Sequence, residues 1–273
     1  MERPDLTALR ALCQRFVQCY DPAGTARYIR SHCPDEAAGL LRQADQLLAH
    51  TFRFQDKWDM EPCPTPYTLE PGQWLYSPNG DPEWVFMLNR HDLLLKLWQA
   101  AQLTGEERYL ASLRDYLLDW AERNPITLAG TDATRTIDTG IRCMNWCGLL
   151  LPLLAQNVLD DEQAGRLLDC MARQFENMRA RYIGKYTLSN WGVLQTTAIC
   201  AGYAWFGDFL PDGLEAWAWD ELEQELELQI LEDGAHWEQS AMYHVEVLNT
   251  CVKLLAHLLY AQAAGQPLCS RAR

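Results

Sequence analysis

Residues 93–125 read LLLKLWQAAQLTGEERYLASLRDYLLDWAERNP, and the spacing of their apolar positions decides the fold. Leu93, Leu94, Leu97, Trp98 and Ala101 recur at three and four residues, as on one face of a helix, and Leu110, Leu113, Leu117 and Trp120 repeat the pattern after Thr104-Gly105. Thr104 and Glu107 have capping-box spacing, and Asn124-Pro125 closes the second run. Residues 88–124 therefore read as an antiparallel helical hairpin.

The same period continues outward. It predicts helices over 134–155, 160–182, 189–205, 214–231 and 237–260, and two or three more within 1–50. No convincing alternating run marks a strand, so the expected class is all-α. Hairpins in series suggest a toroid or solenoid, and the lack of a fixed-period motif disfavours a TPR or HEAT array. The run 58–82 breaks the helices with Pro62, Pro64, Pro66, Pro71, Pro78 and Pro82 and carries Trp58, Tyr67, Trp74 and Tyr76. We read the chain as a single domain, 1–273, with N-terminal helices over 1–57, this Pro/aromatic loop region over 58–82 and hairpins over 83–265.

Composition excludes several classes of function. The 273 residues are 48% hydrophobic and 22% charged, which rules out a disordered chain. A formal charge of −14 disfavours nucleic acid and anionic membranes as partners, and an anionic ligand would need local basic groups. The first 20 residues lack an apolar core of signal-peptide type, and no stretch has transmembrane length, so the chain as given reads as cytosolic. The ten cysteines are scattered through apolar helical patterns and read as buried thiols. Cys143 and Cys147 stand one helical turn apart, but no second Cys/His pair at zinc spacing accompanies them, so no metal or cofactor is indicated.

Four polar clusters interrupt the apolar pattern: Leu88-Asn89-Arg90-His91, Arg142-Cys143-Met144-Asn145-Trp146, Ser189-Asn190-Trp191-Gly192, and residues 233–244, DGAHWEQSAMYH. All four are expected at or near helix starts, where groups from distant positions converge in one cleft. Singly, each has a bland reading. Asn190 or Ser189 suits a helix N-cap, Tyr243, His91 and His244 suit a satisfied core, and Arg90 suits a surface ion pair.

Taken together the clusters resemble the helical N-terminal domain of the heparinase II/III family of polysaccharide lyases. The resemblance is carried by Leu88-Asn89-Arg90-His91, Thr104-Gly105, Trp120, Asn124-Pro125, Ile141-Arg142, Asn145-Trp146, Leu188-Ser189-Asn190-Trp191, Asp233-Gly234, Glu238, Ser240, Tyr243 and His244, over roughly residues 80–260. It implies an incomplete (α/α) toroid followed by a β-sandwich. The implied reaction is β-elimination on a uronic-acid polysaccharide or oligosaccharide, in which the proton at C5 is removed and the 4-linked sugar is expelled. By the same resemblance Asn190 neutralises the uronate carboxylate and Tyr243 protonates the leaving oxygen, which makes these two the catalytic candidates.

Arg90, His91, Arg142, Asn145, Trp191, Glu238 and His244 are candidates for substrate contacts or for orienting Tyr243, and Trp237 for stacking on a sugar. Many relatives carry His directly after the Asn, whereas Trp191 resembles the heparan-sulfate-lyase branch, in which the assisting His comes from the β-sandwich. The chain ends at Arg273 without such a domain, so the expectation is a fragment that supplies Asn190 and Tyr243 but an incomplete active site. Family members are often periplasmic or secreted.

Two other functions compete. One is a glycoside hydrolase on an (α/α) toroid, with Asp138 and Glu238 as its paired carboxylates. The other is a catalytically silent carbohydrate-binding fragment. Neither the polymer nor the oligomeric state follows from the sequence.

Overall fold

Helix formation along this chain follows the apolar period closely, and tight backbone contacts then fix how the helices stack. A computed structural model describes residues 5–19, 21–54 and 63–270. The order is α1 (Leu6–Cys19), α2 (Pro22–His32), α3 (Pro34–Leu48), β1 (Thr51–Phe54), β2 (Cys63–Thr68), α4 (Pro82–Arg90), α5 (Leu95–Thr104), α6 (Glu107–Arg123), α7 (Thr136–Ala155), α8 (Asp161–Ala180), α9 (Asn190–Phe206), α10 (Leu214–Gln229) and α11 (Ala241–Ala263). Successive helices α5/α6, α7/α8 and α9/α10 pack as hairpins, and α7, α9 and α11 stack side by side behind them. This is the (α/α) toroid arrangement, left open as an arc.

Inner and outer helices are told apart by what they bury. Helix α9 buries every residue except Trp191, and α7 buries all but Ile141, Gly148 and Ala155, as expected of helices covered on all sides. Helices α6, α8 and α10 bury one stripe each and turn Glu, Arg and Asp outward. At the α7/α9 crossing Gly140 lies so close to α9 that a Cβ there would stand 2.6 Å from the Leu194 carbonyl oxygen. Trp84, Trp120, Trp146 and Trp205 are fully buried at the centre of the core, each side chain contributing about 1.5–3 kcal/mol.

Helix α1 lies across the far ends of the inner helices. Arg10 donates to the carbonyl of Leu154 in the last turn of α7 and to that of Leu159 in the loop after it, and Arg15 Nε donates to Ala264 O, 2.6 Å away, at the end of α11. Phe16 packs edge-on against Trp205 of α9 and Tyr260 of α11. Three inner helices are thus tied together at their C-terminal ends, where cationic side chains meet carbonyls without intrahelical partners.

Several expectations need correction. Strands β1 and β2 pair antiparallel, Thr51 with Thr68 and Phe52 with Tyr67, where no strand was expected. β1 alternates, with Phe52 and Phe54 buried, but over only four residues, and β2 carries Pro64 and Pro66. Of the expected loop 58–82, residues 58–62, with Trp58 and Pro62, lie outside the described residues. Trp74 is buried, its Nε1 bonded to Asp119.

The capping box at Thr104 is absent, because α5 runs through Thr104 to a left-handed Gly105 and α6 begins after Glu106 without a side-chain cap. Helix α10 stops at Gln229 and α11 starts at Ala241, so 230–240 is a turn rather than two helix ends. The cluster Leu88–His91 closes a helix instead of opening one, and Arg142–Trp146 lies mid-helix in α7.

Candidate active site

Helix α9 begins with a division of labour between neighbours. Ser189 takes the N-cap position and accepts from Trp191 N, which leaves the Asn190 side chain uncommitted to capping. Asn190 instead donates twice to Glu238 Oε2, from its backbone N at 3.1 Å and from Nδ2 at 2.9 Å. Because a carboxylate only accepts, the amide nitrogen must face Glu238, and the orientation of the amide follows from chemistry. One N–H of Asn190 remains uncommitted to Glu238, at the positive end of a 17-residue helix dipole.

Glu238 is held by the turn 230–240. Ile230 and His236 form an isolated antiparallel bridge, and Trp237 Nε1 donates to Leu188 O at 2.8 Å, pinning the turn onto the segment before α9. Gln229 Nε2 donates to the carbonyls of Thr187 and Ser189, so the same segment is gripped from α10 as well. Ser240 caps α11, accepting from Tyr243 N. Tyr243 therefore sits in the first turn of α11, 36% exposed, with its phenol at the surface. His244 Nδ1 accepts from His236 N at 3.2 Å.

Behind Asn190 a buried acid supports the helix start. Glu225 accepts from Tyr182 Oη and Thr196 Oγ1, both at 2.6 Å, and burial pushes its carboxyl up to about 8. Glu221 accepts from Tyr182 Oη and from Thr187 Oγ1. Gly192 makes room for this cluster, since a Cβ there would stand 2.1 Å from Glu225 Oε1.

The other expected contacts are placed differently. Arg142 is wholly buried, its guanidinium donating to Asn89 O, Ala133 O, Gln174 Oε1 and Thr139 Oγ1 and lying over the Trp120 ring. Burial lowers it to about 10, still charged at neutral pH. His91 is buried as well. It accepts from Trp146 Nε1, and burial followed by the charge of Arg142 holds it well below the usual imidazole range. Asn145 is buried and donates to Arg90 O and Asp92 Oδ1. All three tie α4 to α7, which corrects their reading as substrate contacts.

Arg90 is nearly buried and bonds Asp138 and Glu83. Asp138 is buried between Arg90 and Arg135, which removes it as a hydrolase carboxylate. Cys143 and Cys147 are buried, and burial raises the Cys143 thiol to about 12. Among the described residues no three His, Cys, Asp or Glu side chains group in a way that would hold a metal ion, and no helix is long and apolar enough to cross a membrane.

Three residues at the site carried little sequence signal. Arg135 stands 5.4 Å from the Trp191 ring, beside Asn190, yet nothing in its sequence surroundings marked it. Gln229 lies in an acidic helical run that reads as solvent-facing. His236 lies within the cluster 233–244, but the resemblance rests on its neighbours Asp233, Gly234, Glu238, Ser240, Tyr243 and His244. A cavity of about 510 Å³, bounded by Phe52, Trp74, Tyr116, Asp115 and Asp119 among others, shares no residue with the Asn190 cluster.

The fold agrees with comparisons to known proteins. The family model described as Heparinase II/III N-terminus matches residues 27–266. The chain is 24% identical over 231 residues to a heparin-sulfate lyase of Bacteroides stercoris, covering 78% of this chain and 34% of that protein. A heparin-sulfate lyase of Bacteroides thetaiotaomicron is 23% identical over 216 residues, covering 74% and 30%. Among solved structures, heparan sulfate lyase HepC from Pedobacter heparinus superposes with a TM-score of 0.64 at 18% identity, over 83% of this chain and 37% of that one. A heparinase III crystal structure does so with 0.64 at 21%, over 84% and 36%. The chain thus spans about a third of the length of the curated relatives it matches.

Proposed function

Because the chain belongs to the heparinase II/III N-terminus family, we propose that the face carrying Asn190 and Tyr243 takes a uronic-acid-containing polysaccharide or oligosaccharide and serves its cleavage by β-elimination. One observation carries this reading: the Asn190 amide is fixed by Glu238 at the start of α9, level with Tyr243 at the start of the neighbouring α11.

In such an elimination the C5–H bond and the C4–O bond break and a C4=C5 double bond forms. Negative charge develops on the carboxylate as the C5 proton leaves. The N–H of Asn190 not bonded to Glu238, together with the α9 N-terminus, stabilises that charge without having to reorganise. Tyr243 gives its phenolic proton to the departing C4 oxygen. By the family resemblance the C5 proton goes either to Tyr243 itself or to a histidine that a further domain supplies. Trp191, stacked near Tyr186, and the exposed Trp237 offer aromatic rings beside Asn190 for a sugar.

A second reading shares the same face: a domain that binds the uronate but does not turn it over. Ultraviolet absorbance of the conjugated product, followed with a panel of uronate polysaccharides, separates the two. A rise that Asn190→Ala and Tyr243→Phe abolish establishes the lyase. Saturable binding without any rise shows that this chain by itself binds the uronate without turning it over, and neither binding nor rise with a folded chain discards both.

A further inference from the structure

His236 is a buried titratable group beside the Asn190–Glu238 pair that the reaction above leaves unused. It is 2% exposed, and its ring is oriented by α10: Gln229 spends its Nε2 on the Thr187 and Ser189 carbonyls, so its Oε1 faces His236 Nε2 at 2.8 Å. An oxygen acceptor there requires the proton on Nε2. His236 Nδ1 then points at Glu238 Oε2, 3.7 Å away, and has no hydrogen-bond partner. In the neutral ring this places a bare lone pair against a carboxylate, an arrangement that a proton on Nδ1 turns into an ion pair.

The position of Glu238 gives that proton a purpose. The oxygen facing His236 is the one that holds the Asn190 amide and backbone N–H. A uronate carboxylate seated on Asn190 would therefore meet a like charge a few ångströms away, which opposes binding. We propose that His236 is a positioning residue that, as an imidazolium, neutralises Glu238 and so lets the Asn190 amide accept an anionic sugar. This rests on the reading of Asn190 as the carboxylate site. The anion arrives with uptake of a proton on Nδ1, and affinity falls as pH rises through the His236 titration.

The charged and titratable groups that act on the ring are Glu238, which raises its pKa, and His244 at the start of α11, which lowers it. Burial is the largest influence and also lowers it. Gln229 of α10 and Asn190 of α9, the other groups around the pair, are neutral.

The test follows the His236 ring resonances by NMR in the full chain, assigned by their loss in His236→Gln. Glu238→Gln should lower the titration midpoint by about one unit, and sodium glucuronate should raise it in the unaltered chain. A midpoint that Glu238→Gln leaves in place overturns the pairing. A midpoint lowered by Glu238→Gln but indifferent to glucuronate leaves the pairing standing and overturns the uronate reading of Asn190. Should Glu238→Gln disturb the fold, ¹⁵N shifts of the unaltered chain above the midpoint still decide: a ring protonated on Nδ1 rather than Nε2 refutes the arrangement.

Discussion

Thr197 and Thr250 share a hydroxyl–hydroxyl hydrogen bond of 2.9 Å, and each stands seven residues beyond a catalytic candidate, Asn190 on α9 and Tyr243 on α11. Further along, Trp205 Nε1 donates to His257 Nδ1 at 2.9 Å. The two helices therefore run parallel and in register, and both candidates lie at one level, about 10 Å below the threonine pair. Two positions 53 residues apart in sequence are brought level by side-chain bonds further along the helices that carry them.

Tyr243→Phe deletes only a hydroxyl at a position 36% exposed, in a helix whose cap at Ser240 is untouched. Stability should stay within about 0.5 kcal/mol by urea denaturation. Product formation should fall by roughly 10²–10⁴-fold wherever the assembled enzyme is active. An unaltered rate would remove Tyr243 as the acid.

Arg142→Met separates a structural role from a substrate contact. It leaves the Asn89 and Ala133 carbonyls and the Gln174 amide oxygen without their buried donor. A loss of roughly 3 kcal/mol or more is expected in urea unfolding. A normal unfolding midpoint with weakened oligosaccharide affinity would restore Arg142 as a ligand contact.

Glu225 predicts a pH dependence of stability with a definite sign. Burial raises its folded-state pKa from 4.5 to about 8, so between these values the unfolded chain gives up a proton that the folded chain keeps. Stability should therefore decline as pH rises from about 4.5 to 8 and level off above. In Glu225→Gln that decline should flatten, leaving the variant less pH-dependent than the parent in chemical denaturation from pH 5 to 9. Parallel curves for the two proteins would show that Glu225 is not the group responsible.

Gly140→Ala inserts a methyl group 2.6 Å from Leu194 O and 3.1 Å from Gln195 Cα, both backbone atoms. Helices α7 and α9 must separate there, at a cost of about 1–3 kcal/mol measured by thermal or urea unfolding. Gly148→Ala, on the same helix but with nothing within 4 Å, is the control and should hold or slightly raise stability.

Periodicity was a sufficient guide to the helices because Leu97, Leu113, Leu117 and Trp120 pack by position on a helical face, which sequence spacing records directly. It does not single out β1 and β2, because the alternation of β1 lasts only four residues and β2 is broken by Pro64 and Pro66. Polar residues in helices were the harder problem. Arg142 and His91 are as polar in sequence as Asn190, and only their partners, carbonyls of other helices in one case and a tryptophan N–H in the other, show that they serve the core. Asn190 is legible through the family motif Leu188-Ser189-Asn190-Trp191 and not through a local rule, since Ser and Asn suit an N-cap equally. His236 is not, because its role depends on Gln229 and Glu238, which reach it from α10 and from the turn that follows.

Helix α1 bears on where the unit should be cut. The family likeness begins at residue 27, inside α2, so a boundary drawn by likeness leaves out Arg10, Arg15 and Phe16. A polypeptide trimmed to that boundary would keep the face at Asn190 intact but would untie the opposite ends of α7, α9 and α11 and lay bare the apolar surface of Trp205. Likeness marks the part of the chain that relatives share, whereas the smallest piece able to stand alone is set by the clasp at its back.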